Sequence, residues 1–286
     1  MLILWQNMSK EKFPTISIAT IIKNEGKQME SFLFHLVDFA DEIIIADTGS
    51  FDKGPEITRK FISRGHNNIK FFEYEFVGGF HYGKAKNFSI AKATKDYILI
   101  LDADERLSEE FKENIRQFLN GEKPKVVSLI RKDEALPHFI DARQVRIIKN
   151  GLNIFYGTDE KNKLHEQLVH NFEVKHFNPP VWHCQRENHW LHQPHRKIVS
   201  IIGVDVERTP KTKSFFGHLL RGMWIFQYKF KRIYFKQKVY KDGWLGFKYA
   251  LVKAFCDFLV QVFVGFKPKE GYKYWEDPKH KVLGID

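Results

Sequence analysis

Cysteine is almost missing from this sequence: Cys184 and Cys256 are the only two in 286 residues. Two thiols cannot build a disulfide framework, and their spacing is not that of a zinc site. This points to a reducing compartment, so the cytoplasm is the expected location. Two glycine motifs are also missing. No Gly-x-Gly-x-x-Gly follows the first β-branched run, and no Gly-x-x-x-x-Gly-Lys-Ser/Thr occurs anywhere. Both absences speak against dinucleotide and P-loop nucleotide binding. Long uninterrupted apolar runs are lacking too. The opening MLILWQNMSKEKF is too short in apolar residues for a signal peptide or anchor. Residues 244–266 are strongly apolar, but Lys248, Lys253 and Asp257 break them up. There is no internal repeat and no low-complexity linker.

What is present is a globular composition, 43% hydrophobic and 28% charged. The length allows one large domain, or one domain with an appendage. The net charge of +11 is unevenly placed. Residues 1–195 hold 27 Lys and Arg against 27 Asp and Glu, whereas residues 196–286 hold 19 against 8. The last third also carries 19 of the 43 aromatics. The expected organisation is therefore a neutral body, 1–195, and a helical, basic and aromatic extension, 196–286.

Within the body, apolar β-branched runs at 15–22, 42–46, 69–74 and 97–101 alternate with helical patterns at about 27–39, 53–64 and 83–94. Such alternation predicts an α/β fold with βαβ units and a mostly parallel sheet flanked by helices. Right-handed crossovers bring the strand C-termini to one edge, where ligands of open α/β sheets bind. Polar clusters follow three strands, at 23–25, 47–52 and 102–105, and should meet in one crevice. From about 126 to 185 short alternating runs, including 125–130, 144–148 and 172–176, suggest added strands or loops.

Asp102-Ala103-Asp104 carries the strongest chemical signal. Carboxylates at i and i+2 on an extended segment face the same way, so one ion can meet both. Hard oxygen ligands suit Mg²⁺ or Mn²⁺, which leave positions for phosphate oxygens and water. The plainer reading is a solvated acidic turn leading into a helix, with Glu105 and Ser108 as helix-start residues. Asp47, in Asp47-Thr48-Gly49-Ser50-Phe51-Asp52, could accept hydrogen bonds from a nucleobase or ribose, or simply belong to a strand-to-helix loop. Lys23-Asn24-Glu25 is a third strand-end cluster, equally readable as a turn. His165-Glu166 could supply a general base if the sheet brings it near the metal, though such pairs are more often structural. His183, in an apolar setting, could ligate a metal or be a buried histidine. His183, His189, His192 and His195 do not have zinc-site spacing.

Taken together and in this order, Lys23-Asn24-Glu25, Asp47-Thr48-Gly49-Ser50, Lys86-Asn87-Phe88 and Leu101-Asp102-Ala103-Asp104-Glu105 resemble glycosyltransferase family 2 enzymes of the GT-A fold. With His165-Glu166, His183 and the run 240–247, the chain is most similar to the branch of lipopolysaccharide inner-core β-1,4-glucosyltransferases. The resemblance implies an inverting transferase that moves a hexose such as glucose from a nucleotide-diphosphate sugar, with UDP the expected nucleotide, to a glycan or lipid-linked acceptor. It implies that Lys23, Asn24, Glu25, Asp47, Lys86, Asn87 and Asp102 hold the donor. By the same carry-over Asp102, Asp104 and His183 hold Mg²⁺ or Mn²⁺, and Glu166, beside His165, is the base. Phe51 and Cys184 depart from the family pattern, which usually has a small hydroxyl residue and an aromatic there.

Residues 215–241 interleave aromatics with Lys229, Lys231, Arg232, Lys236, Lys238 and Lys241. With 244–266 they suggest a membrane-associating extension: an amphipathic helix on an anionic membrane surface, peripheral on the cytoplasmic face. A helix packed on the body is the alternative. Nucleic acid is not expected, because the stretch is too apolar for a phosphate groove. Two rival functions are a nucleotidyltransferase, which would need a Gly-rich basic loop after the first strand, and a non-catalytic binding module, which would not need Asp102 and Asp104.

Overall fold

The computed structural model describes residues 13–76, 81–139, 143–158, 168–184, 205–206 and 209–267. It divides into two units, Met1–Asp133 with Asp141–Cys184, and Glu134–Ile140 with Gln185–Asp286. The boundary expected near 195 lies outside the described residues.

The first unit is built on an eight-stranded sheet. Its strands are β1 (Ile16–Ile22), β2 (Glu42–Asp47), β3 (Ile69–Glu73), β4 (Tyr97–Ile100), β5 (Glu105–Leu107), β6 (Val126–Asp133), β7 (Gln144–Lys149) and β10 (Val174–His183). A separate pair joins β8 (Phe155–Tyr156) to β9 (Leu168–Val169). The sheet order is β3-β2-β1-β4-β7-β6-β10-β5. β3, β2, β1 and β4 pair in parallel, as the βαβ pattern predicts. β7 then enters antiparallel between β4 and β6. β6 and β10 are parallel to each other, and β5 is antiparallel to β10. Only β7 and β5 therefore oppose the common direction, and the C-termini of the other six strands share one edge.

Both sheet faces are covered, which explains why the central strands read as continuous apolar runs. Ile16, Ile18, Ile43, Ile45 and Leu99 point to one core with Met29, Phe32, Phe111 and Ile115. These last come from α1 (Gly26–Leu36) and α4 (Glu109–Glu122), and Phe61 of α2 (Gly54–Ser63) joins them. Ala19, Ile44, Ile98 and Ile100 point the other way, where Ile90 of α3 (Tyr82–Lys92) packs.

Glu42 ties four segments together beneath this sheet. Its carboxylate accepts from Ser17 Oγ (2.5 Å), Lys70 Nζ (2.6 Å), Thr94 Oγ1 (2.8 Å) and Thr94 N (2.8 Å). Burial alone would raise its pKa; these donors outweigh burial and hold it down at about 2. A carboxyl lower in the folded than in the unfolded chain stabilises fully above its unfolded value, near 4.5. That contribution drains away as pH falls toward 2. Lys70 is 44% exposed, so solvent screens its share and the stabilisation is discounted to about 2 kcal/mol. Urea melts of wild type and Glu42→Gln at neutral pH and near pH 3 check this. Near pH 3, still above the folded value of about 2, the gap between the two proteins should narrow by somewhat more than half that amount, about 1 kcal/mol; a gap independent of pH would rule it out.

The second unit holds α5 (Phe215–Lys231) and α6 (Gly243–Phe266), joined by a π turn (Arg232–Lys236) and a 3-10 turn (Val239–Asp242). The helices pack antiparallel and closely. A Cβ on Gly222 would meet Phe258 Cδ2 at 3.0 Å, and one on Gly265 would meet Phe215 Cδ2 at 3.0 Å. His218 Nδ1 bonds Gln261 Oε1 across the interface (3.1 Å), and Lys229 pairs with Asp257 (3.1 Å). The expected helical, basic and aromatic extension is present, and the segment from Glu134 belongs to it: Phe139 meets the Tyr249 ring at 5.1 Å.

Candidate active site

Three strand ends supply the site. After β1 the chain turns through Asn24, whose φ of 59° is tolerated by asparagine better than by most side chains. Asn24 Oδ1 accepts from Phe51 N (3.0 Å), and Asn24 N donates to Ser50 Oγ (2.8 Å). Asp52 accepts from Gly26 N (2.6 Å) and Gly54 N (2.9 Å). The two loops are thus laced together, and Asp52, which the sequence did not single out, is the brace. Asp47, buried at the end of β2, accepts from Ser50 N (3.0 Å) and Ser50 Oγ (2.6 Å). Lys23 is exposed at the end of β1, and Phe51 is 88% exposed.

Asp102 leaves β4 into the densest ionic network of the unit. Arg146 Nη2 donates to Asp102 Oδ2 (3.2 Å) and to Glu105 Oε1 (3.2 Å). Lys86 Nζ lies 3.7 Å from Asp102 Oδ1, and Arg131 Nη1 lies 3.7 Å from Glu105 Oε1. Burial would raise the Asp102 carboxyl, but Arg146 and then Lys86 hold it well below the usual carboxylate range. Glu105, 1% exposed, is pushed up by burial, against the pull of Arg146. It lies in β5 rather than at a helix start, whereas Ser108 does cap α4 by accepting from Phe111 N (3.1 Å). Asn87 spends its amide on the backbone of Tyr156, donating to the carbonyl (2.9 Å) and accepting from the N–H (2.7 Å). It therefore positions α3, and with it Lys86.

Asp104 faces His183. The strand register places His183 opposite Glu105 on β5 and Asp133 on β6. His183 Nε2 is 3.2 Å from Asp104 Oδ2, and His183 Nδ1 is 3.2 Å from Asp133 Oδ2. Burial would lower the imidazole pKa; the two carboxylates outweigh it and bring it up to about 9. Glu25, at the head of α1, is pushed up by burial and then by Asp104, Asp52 and Asp102. Four carboxylates thus feel one another across the three strand ends, a field that favours a cation. Among the described residues no group of three or more His, Cys, Asp or Glu forms a ready metal cage. The donors that do converge, Asp104 Oδ2 and His183 Nε2 with Asp133 behind the ring, fit a divalent ion with outer positions left for phosphate and water. The structure therefore brings Glu25, Asp47, Asp102, Asp104, Lys86 and His183 onto one sheet edge. His165 and Glu166 lie outside the described residues.

Arg146, Asp133 and Glu105 were not read as site residues. Asp133 ends a strand as Asp102 follows one, and that signal was available. Arg146 was hidden because an arginine in an alternating strand reads as solvent-facing; in the fold its side chain is 10% exposed. Arg146→Met should cost about 3 kcal/mol or more by removing the cation that Asp102 and Glu105 share, leaving each only a more distant one at 3.7 Å. Adding Glu105→Gln should return part of that loss, because one buried charge is then gone. Chemical denaturation of the single and double variants checks this; strictly additive losses would contradict it.

Residues 17–176, more than half of the chain, match the model of a family described as glycosyl transferase family 2. A TPR repeat-containing protein of Synechococcus elongatus is 29% identical over 135 residues, 47% of this chain and 32% of that one. Glycosyltransferase GlyG of Streptococcus pneumoniae is 32% identical over 105 residues, 36% of this chain and 34% of that one. The matched stretch is thus about a third of the length of these relatives. Among solved structures, mannosyltransferase PcManGT from Pyrobaculum calidifontis, in complex with GDP-Man and Mn²⁺, overlays with a TM-score of 0.48 at 14% identity. That overlay covers 90% of this chain and 78% of that one. The sheet has the mostly parallel, helix-flanked α/β architecture expected, and the chain belongs to glycosyl transferase family 2.

Proposed function

We propose that this protein is an inverting glycosyltransferase that takes a hexose from a nucleotide-diphosphate sugar, with UDP as the preferred nucleotide. The acceptor is a glycan or a lipid-linked saccharide of the cell envelope, as in the lipopolysaccharide branch. The observation that carries the reading is the pairing at the end of β4: Asp102 held by Arg146 and Lys86, and Asp104 facing a His183 that Asp133 supports. A simple binding module gives no reason for that arrangement, and a nucleotidyltransferase would need a Gly-rich basic loop after β1, where the sequence has Lys23-Asn24-Glu25.

In this reading Glu25 and Asp47 contact the nucleoside from the β1 and β2 ends, with Lys23 and Asn24 shaping the same rim. Asp102 takes the ribose or the diphosphate side. Its fixed position matters, because oriented groups contribute most when they need not reorganise during reaction. Lys86, directed by the Asn87 clamp, adds positive charge beside the diphosphate. Asp104 and His183 would hold Mg²⁺ or Mn²⁺, which when bound draws charge off the departing diphosphate. Glu166, beside His165, takes the proton from the acceptor hydroxyl as that oxygen attacks the anomeric carbon from the face opposite the diphosphate. The bond from that carbon to the diphosphate oxygen breaks, and its configuration inverts.

The test is a panel of nucleotide sugars scored for nucleoside diphosphate release with Mg²⁺ or Mn²⁺ and saccharide acceptors. One donor should be consumed well above the others, and a uridine donor is expected. Release of pyrophosphate from a sugar phosphate and a nucleoside triphosphate would instead favour nucleotidyl transfer.

A further inference from the structure

The second unit carries an apolar surface that its own packing does not use. α5 buries only His218 and Gly222. Phe216, Leu220, Met223, Trp224 and Tyr228 all remain exposed, Trp224 at 64%, and the last two rings stack on each other at 5.4 Å. At 100° per residue these five positions fall within one arc of roughly 140°, a single stripe along the helix. The stripe ends in cations: Lys231 and Arg232 close the helix, Lys236 follows, and Phe235 between them is also exposed. Solvated helix faces do not place five large apolar side chains in register, and patches of this kind mark interaction sites.

The sequence points to residues 244–266 as the interfacial helix, and α6 does leave Trp244, Leu251, Phe255, Phe263 and Phe266 exposed, but it buries far more of its length than α5, and the exposed cations Lys231, Arg232 and Lys236 follow the α5 stripe. α6 buries Tyr249, Ala250, Ala254, Val260 and Gln261. Val239–Phe266 is long and apolar enough to cross a membrane by length and composition. Spanning would carry Asp257 and its Lys229 partner, 3.1 Å apart, into hydrocarbon, together with Lys248 and Lys253. An interfacial position leaves those charges in water.

We propose that α5 docks this unit onto an anionic lipid surface. The helix lies along the interface, the stripe from Phe216 to Tyr228 enters the apolar boundary, and Lys231, Arg232 and Lys236 meet the headgroups. Charge complementarity selects this occupant: a protein partner would need its own acidic apolar face, whereas an anionic leaflet offers both features continuously. The inference deepens the acceptor side of the reading above by placing the enzyme where lipid-linked acceptors are. Its test uses no donor, so failure here leaves the transfer chemistry untouched.

Full-length protein is sedimented with vesicles of phosphatidylcholine, alone or with added phosphatidylglycerol. The anionic vesicles should bind it, and salt should weaken binding without abolishing it, because apolar insertion is not screened. Leu220→Ser with Trp224→Ser should lower partitioning by about tenfold or more, and Lys231→Glu or Arg232→Glu by about fivefold each. These side chains are exposed, so folding should survive, which circular dichroism confirms. In wild type, brominated lipid should quench part of the tryptophan emission, and Trp224→Phe should remove that part. Negligible binding to both vesicles, or equal binding to both, overturns the proposal. So does a stable dimer that Leu220→Ser dissolves in protein that ignores vesicles.

Discussion

Asp104→Ala should abolish sugar transfer while leaving the fold in place. The side chain is 16% exposed, and His183, whose Nε2 lies 3.2 Å from Asp104 Oδ2, keeps Asp133. The backbone bond from Cys184 N to Asp104 O (2.7 Å) does not depend on the side chain. Thermal stability should therefore change little. Activity should not survive, because His183 would be left to hold a divalent ion without its carboxylate neighbour. The expected loss is about 10³-fold or more, several kcal/mol of transition-state stabilisation, of the size that preorganised electrostatic groups supply. Chelation of wild-type enzyme with EDTA should give the same silence, reversed by Mn²⁺ or Mg²⁺. Full activity in EDTA would remove the metal role from Asp104 and His183 together.

Glu166→Gln should be the second severe loss. Glutamine keeps the shape and much of the hydrogen bonding, but it cannot take a proton at neutral pH. An acceptor hydroxyl is a poor nucleophile until its proton has somewhere to go, so transfer should fall by about 10²–10⁴. Binding of the donor should barely change, because the base acts on the acceptor side. Comparing transfer with donor affinity separates the two effects. Normal transfer by a normally folded variant would move the base elsewhere, with Asp141 and Asp159 next in line.

The half of the candidate site at the ends of β1, β2 and β4 is legible because its signals are local. Apolar β-branched runs followed at once by Lys23-Asn24-Glu25, Asp47 and Asp102-Ala103-Asp104 name both the strands and the edge they share. β1, β2, β3 and β4 fall where the pattern puts them. The other half depends on pairings far apart in sequence. His183 becomes a site residue because β10 runs between β6 and β5, which sets Asp133 and Glu105 on either side of it. Nothing in the run 174–183 announces those neighbours. Arg146 is the same case: its role exists only because β7 inserts antiparallel beside β4. Asn24 and Asn87 show the converse. Their motifs were visible, but the described contacts spend their amide oxygens on backbone N–H groups, so they act at least in part by fixing loops and helices. The basic, aromatic and helical character of the tail is legible in its composition. Which side chains of each helix stay exposed follows only from the α5–α6 packing, which the sequence does not reveal.

The central claim is that the carboxylates at the end of β4 bind a nucleoside diphosphate through a divalent ion. Calorimetric titration of UDP and GDP into the full-length protein tests it most directly, with Mn²⁺ present and then with EDTA. At least one nucleotide, UDP by expectation, should bind with Mn²⁺ and lose most of its affinity in EDTA, and Asp104→Ala should bind equally weakly in both. Affinity that is the same with and without the metal, or unchanged by Asp104→Ala, would contradict the account.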